Sequence, residues 1–259
     1  MSDAFLRVFL TAAVATFGAL FGSFLNVCIY RLPIGKSVMY PPSACPHCRR
    51  GLRWYENIPI ISYLVLRGRC RTCAEPISAQ YPIVEAITAT MFALAWWHDG
   101  PGALLASRLM FGCALIVLFA IDLEHHLLPN AITLPGIVVG VIFSFFTEPG
   151  WVSSLLGILV GGGVLFGVAE LYYRVRKEEG LGMGDVKMLA MVGAFLGWKL
   201  ALVTLMMASL SGSLMGLLLI VTKRGGLKYA LPFGTFLALG AAAAATVGPA
   251  VLEWYVGQF

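Results

Sequence analysis

Apolar runs of about 20 residues recur along most of this 259-residue chain. That is the length an α-helix needs to cross the ~30 Å hydrocarbon layer of a membrane. Charged residues make up only 12% of the sequence, about half of the roughly 25% found in soluble domains. These features exclude a soluble globular enzyme, a disordered chain and a coiled coil, and six cysteines are too sparse for a small disulfide scaffold. The sequence therefore predicts an all-α, polytopic integral membrane protein.

The apolar runs predict about eight transmembrane helices. The first is expected to be retained rather than cleaved, because its run is longer than a signal-peptide core and no cleavage motif follows it. The sixth is short for a full crossing. The predicted spans are 5–29, 82–98, 103–121, 131–147, 152–173, 186–198, 200–221 and 230–256.

The distribution of basic residues predicts the orientation. Most of the 18 Lys and Arg residues fall in the connections 30–81, 174–185 and 222–229. Basic connections stay on the cytoplasmic side of a membrane, so the N-terminus is expected outside and these connections in the cytoplasm. The connections on the outer side are too short to hold a domain. Contact with anionic lipid accounts for the same charges, so nucleic-acid binding is not expected.

Two cysteine pairs lie in the long connection. Cys45 and Cys48 form the first pair, and Cys70 and Cys73 form the second. Each Cys-x-x-Cys turn points two thiolates at one ion, and two such turns complete the four-sulfur site of structural zinc. The reducing cytoplasm keeps the thiols available as ligands. A redox-active cysteine pair is the alternative.

Two aspartates lie at the cytoplasmic ends of predicted spans. Asp122 ends the third span, and Asp185 opens the sixth in Gly182-Met183-Gly184-Asp185. Two carboxylates at equal depth can share a proton and activate a water, while Gly182 and Gly184 would remove bulk and allow unusual backbone conformations beside Asp185. A helix N-cap at Asp185 and an ordinary loop acid at Asp122 are the alternatives. Helix direction favours the shared proton on Asp122 and the anion on Asp185.

Another acid, Glu85, lies within the second predicted span. An ionisable residue inside a span is costly and needs a reason. Glu85 is expected to pair with a neighbouring span or to line a water path.

Motifs along nearly the whole chain resemble those of the type IV prepilin peptidase family, membrane aspartic proteases that share a GxGD signature with presenilin-like enzymes. The matching motifs are Gly22-Ser23-Phe24-Leu25-Asn26-Val27, Tyr30-Arg31-Leu32-Pro33, the two cysteine pairs with Trp54-Tyr55-Glu56-Asn57-Ile58-Pro59 between them, Asp122 with Leu128-Pro129-Asn130, and Gly182-Met183-Gly184-Asp185. Gly-x-Gly-Asp alone is a weak signal, but these motifs in this order are specific. Asn130 departs from the family, which often has Asp at that position.

The resemblance implies that Asp122 and Asp185 are the catalytic pair. It implies cleavage of the short leader of type IV prepilins or type II secretion pseudopilins, commonly after a Gly, at the cytoplasmic face of the inner membrane. Members with the cysteine loop are typically bifunctional and methylate the new N-terminal residue, often Phe, with S-adenosyl-L-methionine. The chain would then comprise a first transmembrane helix (1–29), a cytoplasmic zinc-binding loop (30–81) and a transmembrane peptidase core (82–259).

The sequence assigns no residue to S-adenosyl-L-methionine, because no strand followed by a glycine-rich fingerprint is present. By resemblance, the region 24–33 and the zinc loop are candidates, and Glu56 in that loop is equally an ordinary solvated acid. Two other functions compete with the enzyme. One is a polytopic transporter with an intramembrane acidic ion site, although no inverted repeat is evident. The other is a membrane-anchored scaffold whose zinc loop binds partners.

Overall fold

The computed structural model describes residues 3–178, 182–222 and 231–257. Within these residues the secondary structure is helical, with two isolated β-bridges and no strand, so the predicted all-α class is confirmed. A short 3₁₀ turn, Trp54–Asn57, lies in the long connection. The helices are α1 (Asp3–Arg31), α2 (Ile61–Val65), α3 (Gln80–Asp99), α4 (Ala103–His125), α5 (Asn130–Ser144), α6 (Trp151–Arg176), α7 (Met183–Val221) and α8 (Phe233–Val256).

Five of the described helices are long and apolar enough to cross a membrane: α1, α4, α6, α7 and α8. The chain is therefore a multi-pass membrane protein. Helix α3, the second predicted span, is not among the five and carries the polar side chains of Glu85, Thr88 and His98. Helix α5 has 15 residues, fewer than the ~20 of a full crossing. The predicted count of eight spans is thus not confirmed by length and composition.

The chain divides into two compact units, Met1–Val117 and Leu118–Phe259. In the first unit α1 packs along α3, and small residues set how closely. A Cβ atom on Gly22 would lie 2.7 Å from the Cα of Glu85, and one on Gly18 would lie 2.8 Å from the Cβ of Phe92. Glycine at these positions allows the two helix backbones to approach, as is common in membrane proteins.

In the second unit α7 packs against α5, α6 and α8, again through small residues. A Cβ atom on Gly157 of α6 would overlap the carbonyl oxygen of Gly193. The buried hydroxyl of Ser154 donates a hydrogen bond across the same crossing to the Ala194 carbonyl, at 2.7 Å. The crossing of α6 and α7 is therefore a close backbone contact fixed by a polar side chain.

Helix α7 is interrupted at Gly197, where φ is +77° and ψ is 173°. Positive φ is open to glycine and closed to most other residues. Near Gly184 the helix contacts Leu128, and near Gly216 it contacts Leu231, just before α8 begins. Leu128 also contacts Gly234 at the start of α8, so these residues lie together at one end of the second unit. The first and last turns of α7 therefore lie at that same end, and the chain turns back at Gly197. The predicted sixth and seventh spans are the two arms of α7.

One predicted feature lies outside the described residues. Lys223, Arg224 and Lys228, the basic residues of the predicted connection 222–229, all fall in the segment 223–230. The remaining basic connections, 30–81 and most of 174–185, belong to the described chain.

Candidate active site and metal centre

Asp122 is buried in the last turn of α4, with 4% of its surface exposed. Its Oδ2 accepts two hydrogen bonds from Thr235, one from the backbone N–H at 2.6 Å and one from the hydroxyl at 3.0 Å. Thr235 is in the first turn of α8, where backbone N–H groups have no partner within the helix. The start of α8 therefore supplies the donors that a buried carboxylate needs.

Gly234 makes this contact possible. A Cβ atom at position 234 would lie 3.0 Å from the Cγ of Asp122 and 2.9 Å from Leu128. Any larger side chain would push the first turn of α8 away from the carboxylate. The Gly-Thr pair at the start of α8 thus serves Asp122 in two ways. Gly234 leaves space for the carboxylate, and Thr235 donates hydrogen bonds to it.

Asp185 is half-buried in the first turn of α7. Gly182 occupies the N-cap position of this helix, so the interpretation of Asp185 as the N-cap is wrong. The backbone at Gly182 has φ −70° and ψ 136°, which other residues also adopt, so the expected unusual conformation is wrong as well. The missing side chain at Gly182 leaves the carboxyl of Asp185 uncrowded on that side, whereas Leu128 fills the space beside Gly184. A Cβ atom on Gly182 would lie 3.3 Å from Oδ2 of Asp185, and one on Gly184 would lie 2.9 Å from the Cβ of Leu128.

The two aspartates share one neighbourhood within the second unit. Leu128 contacts Gly184, next to Asp185, and also Gly234, which lies against Asp122. The two carboxyl groups are close enough to interact electrostatically. The structure therefore brings together the two acids that the sequence singled out, along with Gly182 and Gly184.

Asn130, the departure from the family pattern, has a partner in this neighbourhood. The ammonium group of Lys187 donates a hydrogen bond to Oδ1 of Asn130 at 2.9 Å. An amide oxygen accepts this bond as a carboxylate would. Asn130 therefore supplies an acceptor for Lys187 without being acidic.

The four cysteines of the first unit also meet. The Sγ atoms of Cys45, Cys48, Cys70 and Cys73 all lie within 4.8 Å of one another, and those of Cys45 and Cys73 are 3.8 Å apart. Sulfur atoms around a tetrahedral ion with bonds of about 2.3 Å are separated by about 3.8 Å. The set of donors and its size fit a zinc ion.

Both cysteine turns have the same backbone. In the first, the N–H of Arg49 donates to the carbonyl of Cys45, and Arg49 has φ +57°. In the second, the N–H of Ala74 donates to the carbonyl of Cys70, and Ala74 also has φ +57°. An antiparallel bridge closes each turn. Two local turns of the same form thus present the four sulfurs.

Backbone donors favour the thiolate form of one of these cysteines, Cys70. The N–H groups of Cys73 and Thr72 point at the thiol of Cys70 and lower its pKa to about 6. A thiolate, not a thiol, is the metal ligand. This cysteine is accordingly ready to bind a cation at neutral pH.

Glu56, which follows the first cysteine pair in the chain, is buried, with 7% of its surface exposed, so its interpretation as a solvated acid is wrong. Its two carboxylate oxygens each lie 2.8 Å from Nη2 of Arg50, and Oε2 accepts the N–H of Arg53 at 2.9 Å. The Arg53 N–H and the Arg50 guanidinium hold the pKa of this carboxyl below its ordinary value. Because Arg50 follows Cys48 closely, this ion pair braces the first cysteine turn.

Sequence reasoning missed Thr235 and Arg50. Thr235 had a faint signal in Gly234-Thr235 at the cytoplasmic end of a predicted span, where a small residue beside a hydroxyl suits a helix start. Arg50 was counted only as part of the basic loop. Nothing in its position indicated that one arginine of that loop would be paired with a buried acid.

Comparison with known proteins places the chain in a family. Residues 16–99 match the family model for the bacterial peptidase A24 N-terminal domain, and residues 109–217 match that of the type IV leader peptidase family. No solved structure matches the chain.

Relatives named prepilin leader peptidase/N-methyltransferase match over most of their length. The protein from Aeromonas hydrophila is 36% identical, over 95% of this chain and 93% of its own. The one from Pseudomonas putida is 36% identical over 89% and 88%, and the one from Legionella pneumophila is 33% identical over 97% and 96%. The family predicted from the motifs is confirmed, and this chain belongs to the type IV leader peptidase family.

Proposed function

We propose that this chain is a bifunctional enzyme of the bacterial inner membrane. As an aspartic endopeptidase it removes the leader of type IV prepilins or type II secretion pseudopilins at the cytoplasmic face. As an S-adenosyl-L-methionine-dependent N-methyltransferase it then methylates the new N-terminal residue. The names of the relatives support both activities and give the competing transporter function no support.

One observation carries the peptidase assignment: the buried carboxylate of Asp122, held by Thr235, lies in electrostatic range of Asp185. The charge of each carboxylate disfavours ionisation of the other, which favours one protonated and one ionised member. Such a pair has one basic and one acidic member, which is what hydrolysis of a peptide by an activated water requires. A transporter or a scaffold has no need for this pairing.

The proton is best assigned to Asp185, which reverses the expectation from helix direction. That expectation considered only α4 and α7, the helices on which the two acids lie. The start of α8 adds two donors to Asp122 and brings the positive end of a third helix dipole close to it. Hydrogen bonds to the charged form of a carboxyl favour that form. Because the pair titrates as one unit, this assignment describes the preferred arrangement of one shared proton.

In the resulting mechanism Asp122 accepts a proton from a water molecule as the water oxygen attacks the scissile carbonyl carbon. Asp185 gives its proton to the carbonyl oxygen in the same step. When the tetrahedral species collapses, the C–N bond breaks, the leaving amine takes the proton from Asp122, and the hydroxyl formed from the carbonyl returns its proton to Asp185 as the C=O bond forms again. The absence of a side chain at Gly182, where a Cβ atom would lie 3.3 Å from Oδ2 of Asp185, leaves room for the peptide backbone beside this carboxyl.

The cysteine tetrad is proposed as a structural zinc site in the cytoplasmic loop. Four thiolates leave no open coordination position, so the metal would order the loop and take no part in cleavage. S-adenosyl-L-methionine, when bound, supplies the methyl group. We place methyl transfer in the first unit because family members with the cysteine loop are typically bifunctional.

The proposed topology has the N-terminus outside and the active site at the cytoplasmic face. The two arms of α7, before and after Gly197, would each cross much of the membrane in opposite directions. Counting the two arms separately supports eight crossings in total. Arg174 and Arg176 at the end of α6, and the cysteine loop, would then lie in the cytoplasm, in accord with the positive-inside rule.

The test is to incubate the detergent-solubilised protein with a purified prepilin and a purified pseudopilin. Mass spectrometry should show loss of the leader and then, with S-adenosyl-L-methionine present, the gain of one methyl group on the new N-terminal residue. Substrate masses that do not change would exclude the proposed function.

A further inference from the structure

Glu85 of α3 is a buried carboxylate that neither site uses. It is 7% exposed, and it interacts with Ser23 of α1. It also accepts a hydrogen bond from a residue outside α1 and α3. The backbone N–H of Ile60, in the cysteine loop, donates to Oε2 of Glu85 at 2.7 Å. A buried acid in a predicted span thus holds the backbone of a segment 25 residues away in sequence.

The backbone at Ile60 is strained. Its φ is +60° and its ψ is −50°, and the N–H of Ile61 closes a three-residue γ-turn on the carbonyl of Pro59 at 2.5 Å. This form of γ-turn is rare, and a β-branched residue at positive φ is a true outlier. Strained conformations persist only where the surroundings hold them, and they cluster at functional sites. Here the holding group is the carboxylate of Glu85.

The surroundings of Glu85 are arranged for this contact. Gly22 lets the backbone of α1 come against Glu85, since a Cβ atom there would lie 2.7 Å from the Cα of Glu85. One turn further along α1, the amide of Asn26 donates to the carbonyl of Tyr81 at 3.1 Å and fixes the start of α3. The motif at residues 22–27 therefore positions α3 so that Glu85 faces the loop.

The γ-turn at Ile60 is also connected to the cysteine tetrad. Ile60 follows the short 3₁₀ turn that holds Glu56, and Glu56 is bonded to Arg50 beside the first cysteine pair. The segment from Glu56 to Ile60 is thus bonded to α3 through the carboxylate of Glu85. It is bonded to the first cysteine turn through its own carboxylate, Glu56. No described residue besides Glu85 hydrogen-bonds the N–H of Ile60.

We infer that Glu85 is a positioning residue for methyl transfer: by holding the strained turn at Ile60, it fixes the cysteine loop on α1 and α3 in the arrangement that methylation requires. Glu85 acts through the turn and touches no substrate. This inference rests on the proposed placement of methyl transfer in the first unit.

The experiment measures cleavage and methylation separately, with the full-length protein in detergent. Glu85→Ala should lower methylation by about tenfold or more, the effect of losing a hydrogen bond to a buried charged group, and leave leader cleavage near its original rate. Glu85→Gln should retain most methylation, because its amide oxygen accepts the same bond. Glu170→Ala, the matched loss of a half-exposed helical acid paired with Arg174, should change neither activity.

Two further readouts separate positioning from general damage. Adding Ile60→Gly to Glu85→Ala should recover methylation, because glycine adopts the turn without strain and needs less holding. Amide hydrogen exchange at Ile60 should be slow in the original protein and in Glu85→Gln, and fast in Glu85→Ala. Where Glu85→Ala does not accumulate, the double variant and Glu85→Gln give the same test.

Three results would overturn the inference: full methylation in Glu85→Ala, equal loss of cleavage and methylation, or a Glu85→Gln variant as defective as Glu85→Ala. These are distinct from failure of the proposed function. If the proposed function fails, the original protein will neither cleave nor methylate, while hydrogen exchange at the Ile60 amide will still become faster in Glu85→Ala.

Discussion

The cysteine tetrad and the aspartate pair are built in opposite ways. The sulfurs of Cys45 and Cys73 are 28 residues apart in sequence, and two local turns of the same form present all four ligands. Asp122 and its partner Thr235 are 113 residues apart, and they meet only because helices pack closely at small residues. One site follows from spacing along the chain, and the other follows from tertiary packing.

The two sites therefore differ in which mutations they tolerate. The tetrad needs its ligands and its two turns, so a change elsewhere in the membrane helices should leave it intact. The aspartate pair needs the helix starts and crossings that place three segments side by side. Changing one site and measuring the properties of both separates their requirements.

The largest expected effect comes from the acids themselves. Asp122→Asn and Asp185→Asn should each lower cleavage by about 10³-fold or more, because each removes one member of the proton-sharing pair. Metal content should not change, and methylation of a substrate that already has a free mature N-terminus should persist. Mass spectrometry of the substrate and metal analysis of the protein check this. A variant that still cleaves would remove its residue from the pair.

Next in size is the loss of the metal. Cys45→Ser removes one of four ligands, and structural zinc contributes about 10–16 kcal/mol of apparent binding free energy in small zinc domains. We expect the protein to lose its metal and most of its methylation while cleavage is reduced much less. Cys113→Ser, outside the tetrad, is the matched control and should retain both activities. Equal loss of both activities in Cys45→Ser would mean that the loop is needed for the fold of the whole chain.

Thr235→Val tests the proton assignment. It removes the hydroxyl donor at 3.0 Å from Asp122 and keeps the backbone donor at 2.6 Å. If Asp122 is the anionic base, cleavage should fall by about tenfold, the effect of one charge-assisted hydrogen bond. Thr246→Val, on the same helix with its hydroxyl bonded to the carbonyl of Ala242, is the control. An unchanged or faster rate in Thr235→Val would favour the proton on Asp122.

Much of this could be predicted from the sequence, for reasons that lie in particular residues. The tetrad follows from two Cys-x-x-Cys turns, and the helices follow from the lengths of the apolar runs. Asp122 and Asp185 could be identified because an ionisable side chain at the edge of a membrane span is energetically costly and therefore indicates a function. Thr235 and the pairing of Arg50 with Glu56 were missed, because their partners are set by packing and by the loop conformation. The turn of α7 at Gly197 was likewise predicted only as a short gap between two spans.

A smaller effect is expected at the crossing of α6 and α7. Gly157→Ala places a methyl group against the carbonyl of Gly193 and should destabilise the second unit by about 1–3 kcal/mol. Gly163→Ala lies on the same helix, where a Cβ atom meets nothing within 4 Å, and should be neutral or slightly stabilising. Thermal unfolding in detergent measures the difference. Metal content should be equal in both variants, and a loss confined to Gly157→Ala would show that the tetrad depends on this crossing.

The smallest effect concerns Glu56, whose pKa is lowered by the Arg53 N–H and by Arg50. A carboxyl with a lowered pKa stabilises the fold above its ordinary pKa, and the effect is lost as the pH falls through the lowered value. Relative to Glu56→Gln, the backbone N–H of Arg53, which donates to Glu56, should therefore be better protected from hydrogen exchange at pH 7 and still at about pH 5. The two proteins should begin to converge below about pH 4 and behave alike once the pH falls below the lowered pKa of Glu56. Glu75→Gln, an exposed acid of the same loop, should match the original protein throughout. A difference between the original protein and Glu56→Gln that grows on acidification would mean that the ion pair does not brace the cysteine turns.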